Sequence, residues 1–377
     1  MTRVIKPGQT IGIIGGGQLG RMMAISAKQM GYRIAVLEPT EDSPCGQVSD
    51  IVIEAAYDDP VGAKKLAEVS DVITYEFENI DEKTATWLTE KSDFPQGAKV
   101  LGMTQHRLLE KEAIQSLGIP IAPFHAVRSI KDTEEAAKSL GFPAVLKTCR
   151  GGYDGKGQRV VRDLEQLKLG AEELLVNGEC VLEAWIPFKL ELSVIVTRSR
   201  NGETAVFPVV ENEHRDNILY RSHVPARVSD EVCEQAKELA LKVVTGLDVV
   251  GTLAVELFML EDGRLYVNEL APRPHNSGHY SIEGCETSQF EQHIRAICGL
   301  PLGPTTLHSP VVMENILGEH LAPIMDNIGT LANIKLHLYG KKEAKEKRKM
   351  GHLTVIASSV EEACDRLNLL AKKNDLN

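Results

Sequence analysis

No two cysteines in this chain are spaced as Cys-x-x-Cys. The seven, at positions 45, 149, 180, 233, 285, 298 and 364, are scattered and odd in number. That pattern argues against both a disulfide framework and a zinc site, and fits a reducing compartment. Long apolar runs are missing too. Ile11 to Ile14, preceded by Arg3 and Lys6, is too short and too glycine-bound for a signal-peptide core, and nothing resembles a membrane span, so a cytoplasmic protein is expected. Positive charge is in deficit, with 42 basic against 53 acidic residues and a net charge of −11. A broad nucleic-acid surface is thereby excluded, while phosphorylated small molecules, which need only local positive charge, are not. There is no internal repeat and no low-complexity linker. With 377 residues, 43% hydrophobic and 25% charged, the composition is that of a soluble protein of two or three domains.

What is present is glycine, concentrated where it can serve phosphate. Arg150-Gly-Gly-Tyr-Asp-Gly-Lys-Gly-Gln158 has four glycines in the eight residues after Arg150, with Lys156 inside the run and Lys147 just upstream. Backbone N–H groups without Cβ shielding can fold over phosphate oxygens while two ammonium groups offset their charge. A Walker A motif would place Ser or Thr after the lysine to reach a metal; here Gly157 and Gln158 follow Lys156. Metal ligands must come from elsewhere.

A hairpin supplies them. Thr252 to Leu260 and Arg264 to Glu269 read as strands around Glu261-Asp262-Gly263, and Asp-Gly is a strong hairpin signal. With Asp262 and Gly263 as the two turn residues, Glu261 faces Arg264 and Glu256 faces Glu269. Facing residues share one side of the sheet with Cβ atoms roughly 5 Å apart, so two ionised carboxylates would repel by about 3 kcal/mol at an effective dielectric near 20. Mg²⁺ relieves such a pair and draws its other ligands from water and phosphate. Two solvated surface glutamates are the plainer alternative, but Glu256 sits among Leu253, Ala254, Val255, Leu257 and Phe258.

Along the chain, strand Thr10–Ile14, a helix from Leu19 to Met30, and strands at Ile34–Leu37, Ile51–Ile53 and Val72–Tyr75 predict an open parallel sheet. A smaller unit follows, with strands 144–147, 158–161 and 180–184 and helices 133–140 and 164–175. Strands at 190–197 and 204–210 come next, then a helix capped by Ser229 and ended by Gly246, and a tail with a helix from Val360 to Lys372. Gly15-Gly-Gly-Gln-Leu-Gly20, followed by Glu38 after the next strand, matches a dinucleotide motif and raises a rival reading, an NAD-dependent oxidoreductase. That reading leaves the second glycine run and the hairpin unexplained. An anion site on the helix N-terminus for another polar ligand is preferred.

Five blocks carry a resemblance: 15–22 (Gly-Gly-Gly-Gln-Leu-Gly-Arg-Met), 75–79 (Tyr-Glu-Phe-Glu-Asn), the run at 150–158, 268–279 (Asn-Glu-Leu-Ala-Pro-Arg-Pro-His-Asn-Ser-Gly-His) and 348–352 (Arg-Lys-Met-Gly-His). In order, and spanning nearly the whole chain, they resemble the N5-carboxyaminoimidazole ribonucleotide synthetase family of the ATP-grasp superfamily. The resemblance implies a mixed α/β and α+β ATP-grasp fold. It has a Rossmann-like, pre-ATP-grasp parallel-sheet domain at 1–103, an ATP-grasp domain at 104–301 with a lid at about 118–187, and a small β-rich C-terminal domain at 302–377. It implies ATP- and bicarbonate-dependent carboxylation of 5-aminoimidazole ribonucleotide through carboxyphosphate, with ATP and Mg²⁺ bound and a homodimer formed. Other ATP-grasp ligases, such as the formate-dependent glycinamide ribonucleotide transformylase, are the nearest alternatives.

Residue by residue, the resemblance places Arg107, Lys147 and the loop Gly152, Tyr153, Asp154, Gly155, Lys156, Gly157 and Gln158 on the nucleotide. Glu183, Ala184, Trp185 and Ile186 would hold adenine, Glu191 the ribose, and His214 and Asn268 would lie nearby. Glu256 and Glu269 would bind the metal. Asn268 shares that side of the sheet only if the strand bulges. For the second substrate it implies Gln18, Glu76, Tyr153, Asp154, Arg273, His275, Asn276 and Ser277, with the 5′-phosphate at Lys341 and Arg348. Arg273, His275, Asp154 and Lys156 stand nearest the chemistry.

Overall fold

Strands without polar alternation need cover on both faces, and the first unit supplies it. β1 (Thr10–Ile14), α1 (Gln18–Gln29), β2 (Arg33–Leu37), β3 (Ile51–Ile53), α2 (Pro60–Val69) and β4 (Val72–Tyr75) form a four-stranded parallel sheet in the order β3-β2-β1-β4. Every residue of β1 and β4 is buried. Ile11 and Ile13 pack toward Leu19 and Met23, whereas Ile14 and Tyr75 pack toward Leu66 and Leu88. Three helices follow, α3 (Glu82–Lys91), α4 (Gly97–Thr104) and α5 (Arg107–Ser116). The computed structural model describes residues 3–152 and 156–373; Tyr153, Asp154 and Gly155, all named above as site residues, lie outside them.

The second unit is a small antiparallel sheet with two helices: β5 (Phe124–Val127), α6 (Asp132–Leu140), β6 (Ala144–Thr148), β7 (Gln158–Val161), α7 (Leu164–Leu174) and β8 (Cys180–Ala184), in strand order β5-β8-β6-β7. The glycine-rich run is the β6-to-β7 connection, so Lys147 opposes Gln158 across the ladder.

The remainder is built on one nine-stranded sheet. It takes in β9 (Phe188–Arg198), β10 (Thr204–Val206), β11 (Val210–Arg215), β12 (Ile218–Val224), β13 (Gly251–Leu260) and β14 (Leu265–Ala271). The stretch expected as one strand from Thr204 to Val210 is divided at Pro208, which cannot donate to a ladder. α8 (Asp230–Gly246), capped by the Ser229 side chain, buries Ala236, Ala240 and Val243 against Val194, Leu253 and Val255. The same strands turn Glu191, Ser193 and Glu256 to the opposite face, which floors the cleft below the small sheet. Beyond α9 (Ser281–Gly284) and α10 (Gln289–Cys298), the strands β15 (Val311–Leu317), β16 (Lys335–Leu338) and β17 (Lys349–Ile356) extend the sheet in the order β12-β15-β17-β16. They pack with α11 (Gly318–Asp326) and α12 (Val360–Lys373).

α10 joins the units. Its Phe290, Ile294 and Ile297 share a core with Ile11 and Met23 of the first sheet, and the helix also packs against β13. Ile294 is fully buried. Ile294→Ala is expected to lower stability by about 2–5 kcal/mol through lost transfer energy and a cavity. Urea denaturation followed by circular dichroism measures it; a loss below about 1 kcal/mol would show that α10 does not bind the units together.

Candidate active site

β13 and β14 bring Glu256 opposite Glu269, but by a different count from the one expected. The turn has three residues, because Leu260 pairs with Arg264 and Gly263 N–H closes on Leu260 O at 3.0 Å. That alone would shift the register by one. A β-bulge between Glu256 and Leu257 shifts it back, leaving Asn268 as the extra residue on β14. The bulge is what lets Asn268 and Glu269 both border the cleft. Glu261, expected to face Arg264, instead meets Lys189 Nζ at 2.7 Å.

Removal from water pushes the Glu256 carboxyl up to about 7, with the Glu269 charge acting the same way. Arg107 Nη1 reaches Glu269 at 3.2 Å, and His275 Nε2 lies 3.3 Å from Glu256. His214 Nδ1 is 2.9 Å from Glu191 on the same floor. Burial lowers the His275 imidazole well below its usual range, and Arg273 and Lys349 lower it further. The ring is therefore neutral. Its Nδ1 receives the Ser277 backbone N–H at 3.3 Å, so the proton sits on Nε2 and points at Glu256. Ser277 is fully buried, with its hydroxyl 2.9 Å from His275 Nδ1 and 2.8 Å from Ser193, which in turn accepts from Asn212 at 2.9 Å. Ser277, expected at the second substrate, braces His275 here.

On the opposite wall, Glu183 is shared by two lysines, Lys147 at 3.0 Å and Lys111 at 3.1 Å. Burial acts to raise the Glu183 carboxyl, but the two ammonium charges outweigh it and hold it low. Burial lowers the Lys147 ammonium. Arg107 opens α5, where it also contacts the Gly152 carbonyl at 3.2 Å and so touches the root of the glycine-rich run. Trp185 is largely exposed rather than part of the core, and it lines the cleft with Ala184 and Ile186. The cleft encloses about 810 Å³ and takes in Gly152, Lys156 and Gln158 as well. Gly157 is held by its carbonyl, which accepts Thr148 N–H at 2.8 Å.

The first glycine turn binds carboxylates of its own chain. Gly17 N–H donates to Glu76 Oε1, Gly20 N–H to Glu76 Oε2 at 2.8 Å, and Gly16 N–H to Glu38 Oε2 at 2.7 Å. Three glycine N–H groups around the start of α1 are thus taken by carboxylates of the chain itself, which leaves none of them for a pyrophosphate and corrects the dinucleotide reading. Gln18 and Glu76 still border the cleft.

Arg273 forks onto Glu78, with Nε and Nη2 each 2.7 Å from a carboxylate oxygen. Asn276 exchanges both amide bonds with Asn315, at 3.0 and 2.8 Å. Lys341 and Arg348 stand at the margin. Lys341 Nζ donates to Lys349 O at 2.7 Å, and Arg348, exposed, donates to Glu343 O at 3.0 Å. Lys349 itself enters the cleft, as does the buried Glu110, which burial and Glu269 push well above the usual carboxylate range. Neither was named from the sequence, nor were Lys111 and Glu78. Lys349 could have been picked out by its place beside Arg348 and Glu78 by its place within the 75–79 block; Glu110 and Lys111 lie on α5 with no local signal.

Three family models match the chain: a ribonucleotide synthetase preATP-grasp domain over residues 8–105, an ATP-grasp domain over 112–290, and a phosphoribosylaminoimidazole carboxylase C-terminal domain over 311–366. The chain is similar to the N5-carboxyaminoimidazole ribonucleotide synthase of Bacillus subtilis (strain 168), 55% identical over 360 residues, 96% of this chain and 94% of that protein. Among solved structures it is similar to an ADP complex of N5-carboxyaminoimidazole ribonucleotide synthetase, with TM-score 0.95, 55% identity and 98% of each chain covered. It is also similar to the synthase of Aspergillus clavatus in complex with ADP and 5-aminoimidazole ribonucleotide, with TM-score 0.90, 33% identity, and 97% and 98% of the two chains covered.

A Cβ added at Gly17 would run into the Glu76 carboxylate. Gly17→Ala is expected to displace that group and lower stability by about 1–3 kcal/mol. Thermal denaturation without ligands measures it; an unchanged midpoint would mean that Glu76 does not hold the turn.

Proposed function

The chain belongs to the N5-carboxyaminoimidazole ribonucleotide synthase family, and we propose how its cleft performs that family's reaction. It is an ATP-dependent carbon–nitrogen ligase that carboxylates 5-aminoimidazole ribonucleotide with bicarbonate in purine biosynthesis. One observation carries the proposal: a pair of facing carboxylates, Glu256 and Glu269, opposite a wall of cations, Arg107, Lys111 and Lys147.

Two facing carboxylates fit Mg²⁺, an oxygen-seeking cation that completes its shell with phosphate and water. When bound, it would draw charge from the phosphate oxygens. The Lys147 and Lys156 ammonium groups would meet the same phosphates, and the glycine-rich run would exclude water. A bicarbonate oxygen would attack the γ-phosphorus as ADP leaves, giving carboxyphosphate. The exocyclic amine of the ribonucleotide would then take the carboxyl group, phosphate would depart, and the amine would lose a proton. Arg273, fixed by Glu78, would present its remaining N–H groups to bicarbonate. His275 Nε2–H would donate to an anionic oxygen; with its proton there, the ring is a donor rather than the base for the amine. Lys341 and Arg348 would meet the 5′-phosphate, a role in which the exposed Arg348 side chain turns inward. We infer a homodimer from the family resemblance and a cytoplasmic setting from the scattered cysteines.

Phosphate release from ATP should require both the ribonucleotide and bicarbonate, and Glu269→Gln should abolish it while ADP still binds. Turnover without the ribonucleotide, or near-wild-type activity in the variant, would refute this reading.

Burial, followed by Arg348, pushes Lys341 down to about 8. The cationic form that binds phosphate is therefore present below about pH 8 and is lost above it. kcat/KM for the ribonucleotide should fall through that range, and Lys341→Gln should remove the falling limb while lowering kcat/KM roughly ten- to hundred-fold. A limb that survives in the variant would assign it to another group.

A further inference from the structure

Where β6 runs into the glycine-rich loop, three side chains from separate elements converge. His106 caps α5, Cys149 follows β6, and Glu179 precedes β8. One ligand atom from each, an imidazole nitrogen, the thiol sulfur and a carboxylate oxygen, lies within 4.8 Å of the other two. No Cys-x-x-Cys spacing announces this set, because only the fold brings it together.

The surroundings suit a soft divalent cation. His106 Nε2 faces Glu179 Oε1 at 3.0 Å, while Arg128 Nε holds the other oxygen at 3.1 Å and fixes the carboxylate's orientation. Burial, followed by the Glu179 charge, pushes the Cys149 thiol up to about 12, with the Leu108 backbone N–H acting against them, so the sulfur stays protonated until a cation displaces the proton. Cys149 and His106 are buried and Glu179 is partly exposed, so the site has dry walls and an entrance. We propose that His106 Nε2, Cys149 Sγ and Glu179 Oε1 bind zinc or a similar cation, with water as fourth ligand. Binding releases the thiol proton and moves the imidazole proton to Nδ1, at the cost of a long 3.5 Å contact with Leu109 N–H.

Such an ion would act on the nucleotide wall. Cys149 O accepts Arg107 N–H at 2.9 Å and Cys149 N–H donates to Glu179 O at 3.0 Å. An ion here would therefore tie α5, β6 and β8 together behind Arg107 and Lys147.

Cobalt(II) added to the full-length apoenzyme is the probe. The expected result is a near-ultraviolet thiolate-to-cobalt charge-transfer band that saturates at one equivalent, is bleached by Zn²⁺, and is lost in Cys149→Ser. Cobalt on Glu256 and Glu269 has only oxygen ligands and gives no such band. Should the serine variant fail to fold, alkylation of the wild type mapped by mass spectrometry serves instead, with Zn²⁺ expected to protect Cys149. No band in the wild type, a band that persists in Cys149→Ser, or alkylation of Cys149 unaffected by zinc would overturn the proposal.

Discussion

Two like charges held across one strand pair set the terms for the rest of the cleft. Glu256 and Glu269 face each other on a partly dehydrated floor, where their repulsion is worth about 3 kcal/mol. The protein leaves this only half relieved. Arg107 leans on Glu269, and His275, neutral, offers Glu256 a single N–H. A fuller set of fixed cations would make the apo site more stable and remove its affinity for a divalent ion. Burial first and the Glu269 charge second raise the Glu256 carboxyl, and a divalent ion would oppose both.

The facing wall solves the opposite problem. A lone buried Lys147–Glu183 pair would be neutral and of little use to a triphosphate. Adding Lys111 to the same carboxylate gives two cations against one anion, so one positive charge remains while neither lysine is stranded without a counter-ion. Burying such a cluster carries a desolvation cost that ion pairing alone seldom recovers. That cost is better understood as preorganisation for phosphate than as stability. Arg107 links the two walls, with one nitrogen on Glu269 and another on the glycine loop.

The sequence disclosed the groups that announce themselves locally. Periodicity located the parallel sheet, Ser229 marked the start of α8, and glycine density marked the loop. The hairpin count paired the right glutamates because two departures cancelled: a three-residue turn moved the register one way and the Asn268 bulge moved it back. Helices α2 and α3 also carry caps legible in the sequence, at Asp59-Pro60 and Asp81. The first glycine turn misled because the motif reports exposed N–H groups and not their acceptor, and the acceptor, Glu76, is remote in sequence. Lys111 and Glu110 were illegible for the same reason: a charged residue on an amphipathic helix declares nothing until folding shows what it faces, and Glu78, in the loop after β4, names no partner in Arg273.

The second-substrate side shows this limit most plainly, since it is assembled from both ends of the chain. Gln18, at the start of α1, and Glu76, just past β4, come from the first unit and Lys349 from β17, with more than half the sequence between them. Their registration depends on the C-terminal strands continuing the sheet that carries Glu256, and on Gln47 Nε2 reaching Gly340 O at 2.9 Å across the unit boundary. Phosphoryl-transfer groups, by contrast, cluster within the middle of the chain. A nucleotide site can therefore be read in one stretch, but the identity of the acceptor is written in how the outer units are set against it, and displacing either unit should cost acceptor specificity before it costs ATP binding.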